Sequence, residues 1–170
     1  MRPALSLAAF AAACSGALGC SYATVEPGHR GLLFEPNGIG LQREALQPGR
    51  YRLHGGDRVE DFAVTYATRR EAIDTLSSEG LPMRVELAVI YRPIISELYE
   101  LDTEVGPDYY DAVIKPELRS AGRDVLARYS FADLQTRNER IEDEIENDLR
   151  RRMHGRHVEV ASVNVDTEKK

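Results

Sequence analysis

The sequence contains no tryptophan, and neither of its two cysteines lies beyond residue 20. The rest of the chain therefore has no disulfide, cysteine nucleophile or thiolate-bound zinc. Basic charge is also short: 22 Lys and Arg stand against 28 Asp and Glu. Phosphate contacts supply most nucleic-acid affinity, so an acidic chain is a poor nucleic-acid binder. The same charge opposes electrostatic docking on anionic lipid. Long apolar runs are missing too. A membrane span needs about 20 strongly apolar residues, whereas the one apolar segment, Pro3 to Ala13, is alanine-rich and gives way to Ser15, Gly16 and Gly19.

That segment has the layout of a secretory signal peptide: Arg2, a short apolar run, then small residues. It ends in Ala17-Leu18-Gly19-Cys20 and resembles a bacterial lipoprotein signal, in which lipid is joined to the cysteine and cleavage leaves that cysteine first. The expected division is a signal peptide over residues 1–19, lipidation at Cys20 and a tether over 20–27. Cys14, preceded by Ala11-Ala12-Ala13, is the alternative acceptor. An uncleaved N-terminal anchor in the inner membrane is the alternative topology. One acyl chain binds a bilayer marginally, and two or more anchor stably. Residues 1–19 hold one arginine and no acid, so cleavage leaves 21 basic and 28 acidic residues, a net charge of −7.

From about residue 28 to residue 92 the pattern is β. Gly31-Leu32-Leu33-Phe34-Glu35 is a short strand stopped by Pro36-Asn37-Gly38. Leu46-Gln47-Pro48-Gly49 is a turn before Tyr51-Arg52-Leu53, and Phe62, Val64 and Tyr66 alternate with polar or small neighbours. The clearest strand places Met83, Val85, Leu87, Val89 and Tyr91 on one face, with Arg84, Glu86 and Arg92 on the other. Beyond Pro93 the period becomes helical. Ile94, Ile95, Leu98 and Leu101 predict a short helix; Tyr110, Ile114, Leu118, Ala121, Val125 and Tyr129 predict a longer one, kinked near Lys115 by Pro116. Ser130-Phe131-Ala132-Asp133 reads as a capping box opening a last helix with Leu134, Ile141, Ile145, Leu149 and Met153 buried. A closing strand is expected over about 158–165 and a polar tail over 167–170. Strands, then helices, then one strand predict an α+β domain over 28–166, a mainly antiparallel sheet packed with two main helices.

Chemistry is sparse. His154-x-x-His157 offers two imidazoles, but zinc needs three or four donors and Gly155 interrupts the helix between them. A His-based metal-binding hydrolase is therefore only a remote alternative, and no catalytic residue, metal site or cofactor is predicted. The acids from Glu139 to Asp148 lack the spacing of a calcium loop and read as a solvated helix face. Adjacent helical residues diverge by about 100°, so Tyr109 and Tyr110 are candidates for a protein interface, with both rings on core edges as the alternative.

Four stretches resemble the SPFH superfamily, also called Band 7 or prohibitin-like domains: Val25 to Glu35, Leu46 to Leu53, Leu76 to Pro93, and Val113 through to Val165. The resemblance implies an α+β domain beside a membrane, with scaffolding or regulatory work and no catalytic centre. Its implied partners are further copies of the chain and membrane proteins, a membrane protease among them. Relatives often continue into a long coiled coil. Here about five residues follow Val165, so side-to-side contacts are expected rather than large closed rings. Neither Ser21 nor Tyr22 is the Asp that commonly retains lipoproteins at the inner membrane. The periplasmic face of the outer membrane is thus the expected location.

Overall fold

The computed structural model describes residues 21–166. The expected signal peptide, both cysteines and the polar tail lie outside the described residues. Eight strands and four α-helices follow in the order predicted for an α+β chain. β1 (Ser21–Val25), β2 (His29–Glu35), β3 (Gly40–Leu41), β4 (Gly49–Leu53) and β5 (Arg58–Ala63) make the N-terminal part. β1 pairs with β4, and β2 lies between β3 and β5. β6 (Ala67–Leu76), β7 (Pro82–Pro93) and β8 (Val158–Asp166) form a separate sheet with β7 central. All pairings are antiparallel, but they divide among three sheets instead of one. Residues 21–25, expected as tether, are strand.

β7 carries its predicted alternation into the core: Val85, Leu87, Val89 and Tyr91 are buried, and Met83 closely so. Leu87 and Val89 have no exposed surface at all. The helices after β7 cover that face. A single 3₁₀ turn, Ile95–Glu97, leads into α1 (Leu98–Glu104). The predicted kink is a π-helical turn, Tyr110–Ile114, which passes directly into α2 (Lys115–Leu126) with Pro116 in its first turn. There the wider i→i+5 register carries the bond from Lys115 N–H to Tyr110 C=O. Pro116 supplies no N–H to this continuous ladder, and the wider register just before it is where the helix accommodates that loss.

Gly122 lets α2 approach the sheet. A Cβ there would lie 2.6 Å from Ile73 Cδ1 and 2.8 Å from Leu87 Cδ1, closer than packed carbons allow. The capping box is present: Ser130 Oγ accepts from Asp133 N–H, and Asp133 Oδ2 accepts from Ser130 N–H. It opens a short α3 (Phe131–Thr136), and Arg137 breaks the path before α4 (Asn138–Met153). The predicted last helix is therefore two. Its stripe is still correct, since Leu134, Ile141, Ile145, Leu149 and Met153 are all buried.

One strand reading needs correction, and one strand inside the expected β region was not delineated. Tyr66 does not continue the strand of Phe62, because β5 stops at Ala63 and Tyr66 is 49% exposed. β6 lacked any clean alternation in sequence, yet it pairs with β7 along its whole length, from Ala67 opposite Tyr91 to Leu76 opposite Pro82.

Candidate functional site

Tyr109 and Tyr110 meet on one aromatic cluster around Tyr91. Tyr109 packs edge-on with ring centroids 6.2 Å apart, and Tyr110 stacks at 5.4 Å. Tyr110 Oη donates to Glu71 Oε1 at 3.1 Å. Burial pushes the Tyr109 hydroxyl up to about 12. Burial, then the hydrogen bond to Glu71, raises that of Tyr110. Both rings are half-buried against the core.

The two histidines near the end of α4 have different surroundings. His154 is exposed at the helix terminus. His157 has a left-handed backbone, φ 62°, and its ring lies between two carboxylates. Nδ1 is 2.9 Å from Glu97 Oε2, and Nε2 is 3.2 Å from Glu104 Oε2. Burial opposes its charge, but the hydrogen bonds to Glu97 and Glu104 outweigh that and hold its pKa above the ordinary value. With both nitrogens engaged, this ring ties the residue just before β8 to the 3₁₀ turn and to the end of α1. Among the described residues, no group of three or more His, Cys, Asp or Glu is arranged to hold a metal.

The acids of α4 do more than face water. Antiparallel strands alternate residues that bond to the neighbour with residues that point away. Ser77 N–H donates to Leu81 C=O at 2.8 Å, which continues the register of Leu76 opposite Pro82. Odd-numbered residues of β6 and β7 therefore bond each other, and even-numbered residues of β7 turn to β8. On β8 the bonded residues opposite them are Ser162, Asn164 and Asp166, so Val163 and Val165 point outward. Those outward amides are capped. Val163 N–H donates to Glu146 Oε2 at 3.3 Å, and Val165 N–H to Glu142 Oε1 at 2.7 Å. Past the bulge, Arg150 donates to the carbonyls of Val160 and Ala161 at 3.0 and 2.6 Å. The free edge of β8 is closed by side chains of α4.

The other edge differs. By the same alternation, Thr68, Arg70, Ala72, Asp74 and Leu76 aim their N–H and C=O groups away from β7. Among the described residues, no backbone partner outside the β6–β7 ladder reaches them. Helix α2 covers the face of β6 instead: Lys115 and Arg119 pair with the Glu71 side chain at 3.6 and 3.4 Å. An exposed strand edge is a ready template for another strand. No sequence signal marked it, because β6 itself was not legible.

Among the described residues, the arrangement offers surfaces, a locked histidine and the open edge of β6, with no convergent nucleophile, acid and base. Two comparisons accord with this architecture. Mouse Prohibitin 1 is 23% identical over 142 residues, covering 83% of this chain and 52% of the relative. Drosophila melanogaster Prohibitin 1 is 26% identical over 138 residues, covering 79% and 49%. The chain thus spans about half the length of the curated relatives it matches. The family model of the SPFH domain / Band 7 family matches residues 23–167, from within β1 to the end of β8, and the chain belongs to that family.

Proposed function

We propose that this protein is a membrane-tethered, non-enzymatic scaffold that organises membrane proteins through contacts between its own copies and with a partner. The observation that carries this reading is the family match across residues 23–167, since prohibitin-like domains are scaffolds beside membranes. Among the described residues no helix is long and apolar enough to cross a bilayer. Attachment in this reading falls to the N-terminal segment, through lipid on Cys20, with the domain on the periplasmic side of the outer membrane. β1 begins at Ser21, so a lipid on Cys20 would leave almost no slack between bilayer and folded strand. That short leash suits a protein that holds neighbours at a fixed height.

Mass spectrometry of the mature N-terminus, combined with fractionation of a Cys20→Ser variant, tests the tether. The expected result is a lipid mass on Cys20 in the parent and loss of the variant from the membrane pellet. A variant that pellets undiminished would sink the tether.

A further inference from the structure

The open edge of β6 has a charge pattern that selects one occupant. We propose that β6 pairs antiparallel with β6 of a second copy of this chain, about a twofold axis through Ala72, making one continuous sheet across both molecules. A twofold axis perpendicular to a continuous sheet keeps each side chain on its own face. Opposed residues must then have numbers of equal parity. The outward-pointing residues of β6 are all even-numbered, so the registers that satisfy the symmetry also bring outward N–H and C=O groups together.

Charge decides among those registers. With Ala72 opposite Ala72 of the second copy, Arg70 faces Asp74, and by symmetry Asp74 faces Arg70. Thr68 then faces Leu76, a side chain 56% exposed in the single molecule. Sliding by two residues in either direction loses both opposed ion pairs. Sliding by four sets Arg70 against Arg70 or Asp74 against Asp74, and like charges directly opposite are unfavourable. Charged residues usually protect an edge from pairing. Here they are of opposite sign and four residues apart, so among the symmetric registers they favour the one centred on Ala72. That centre is a small residue, half-buried between exposed neighbours two positions away on either side.

Inside one molecule, Arg70 already lies 3.5 Å from Glu86, and Asp74 lies 3.8 Å from Arg84. These pairs are exposed, and such contacts contribute little on their own. In the paired form they extend into a ladder of alternating charge crossing both copies. Helix α2 lies on the opposite face of the sheet, beside Ile73, and leaves this face clear. The inference deepens the scaffold reading by naming the contact between copies on which that reading relies.

The test uses the full-length chain in membranes, with its own cysteines retained, and Ala72→Cys as the probe. Opposed residues of a hydrogen-bonded antiparallel pair have Cα atoms about 5.5 Å apart, within the span a disulfide bridges. Mild oxidation should give a symmetric dimer well above the parent chain. Glu86→Cys, opposite Ala72 on β7 and about 14 Å from its counterpart across three strand spacings, should not. Added to Ala72→Cys, either Arg70→Asp or Asp74→Arg should lower the dimer yield roughly tenfold, since each sets like charges opposite twice per interface. The combined exchange should restore it. That rescue is specific, because the exchange still mismatches Glu86 and Arg84 within each molecule. A yield from Ala72→Cys no greater than from Glu86→Cys overturns the pairing. So does a crosslink to a different polypeptide, and an exchange variant as weak as the single variants overturns the register. Membrane retention is read in the same samples: loss from the pellet with the crosslink intact refutes the lipid tether and spares the strand pairing.

Discussion

Along β8, two outward amides and two carbonyls are met by Glu142, Glu146 and Arg150, while along β6 the corresponding groups of Arg70, Ala72 and Asp74 meet nothing beyond their own ladder among the described residues. Both strands flank the same central β7, and both lie beside a long helix. They differ in where the helix sits. α4 runs beside the edge of β8, so its long acids and Arg150 reach the backbone across a single gap. α2 is drawn onto the face by Gly122, and two of its cations, Lys115 and Arg119, pair with the Glu71 side chain. One edge is thus built into the domain and the other is left available for a partner.

The largest expected effect breaks the sealed side. Leu149→Ala removes a fully buried side chain of α4 and should cost about 2–5 kcal/mol in urea unfolding. It should also release the amides of Val163 and Val165 to faster hydrogen exchange, with the outward β6 amides of Arg70, Ala72 and Asp74 unaffected because they have no ladder partner to lose; protection unchanged at β8 would separate the seal from the helix packing. A smaller effect is expected from Glu142→Ala, which leaves Val165 N–H without its acceptor. The cost should be about 1 kcal/mol, seen as faster exchange at that amide alone. No change there would mean that water replaces the carboxylate at no cost.

The smallest effect concerns how β8 is attached at its start. The folded pKa of His157 is raised by Glu97 and Glu104 against the opposing effect of burial. Its contribution to stability is therefore full below the unfolded value and is lost as pH rises through the higher folded value. Thermal unfolding of the parent should weaken across that interval relative to His157→Asn, which tolerates the left-handed backbone but cannot titrate. Parallel curves for the two proteins would show that the charge of the ring does not matter to the fold.

How much of this was legible depended on whether a residue's role was local. The stripe Leu134 to Met153, the alternation along β7, the capping box at Ser130 and the break before Pro116 are set by residues within a turn or two of each other. All four appear where the pattern placed them. β6 was missed because only Ile73 of its inward set is fully buried, while Glu71 is a charged residue held by α2. The acids of α4 read as a solvated face because the backbone N–H groups that donate to them lie 17 to 23 residues away. Tyr109 and Tyr110 have a common neighbour in Tyr91, on a strand that local spacing does not connect to them.

By itself the sequence determined which side chains are withdrawn from water, since burial follows from a period of two in strands and 3.6 in helices. It also carried enough ordered turns and core positions to resemble the family. Tertiary structure alone decided which strand edge is closed and which stays open. That outcome depends on the offset of α4 and α2 from the edges of one sheet, a relation between distant segments that no local spacing encodes.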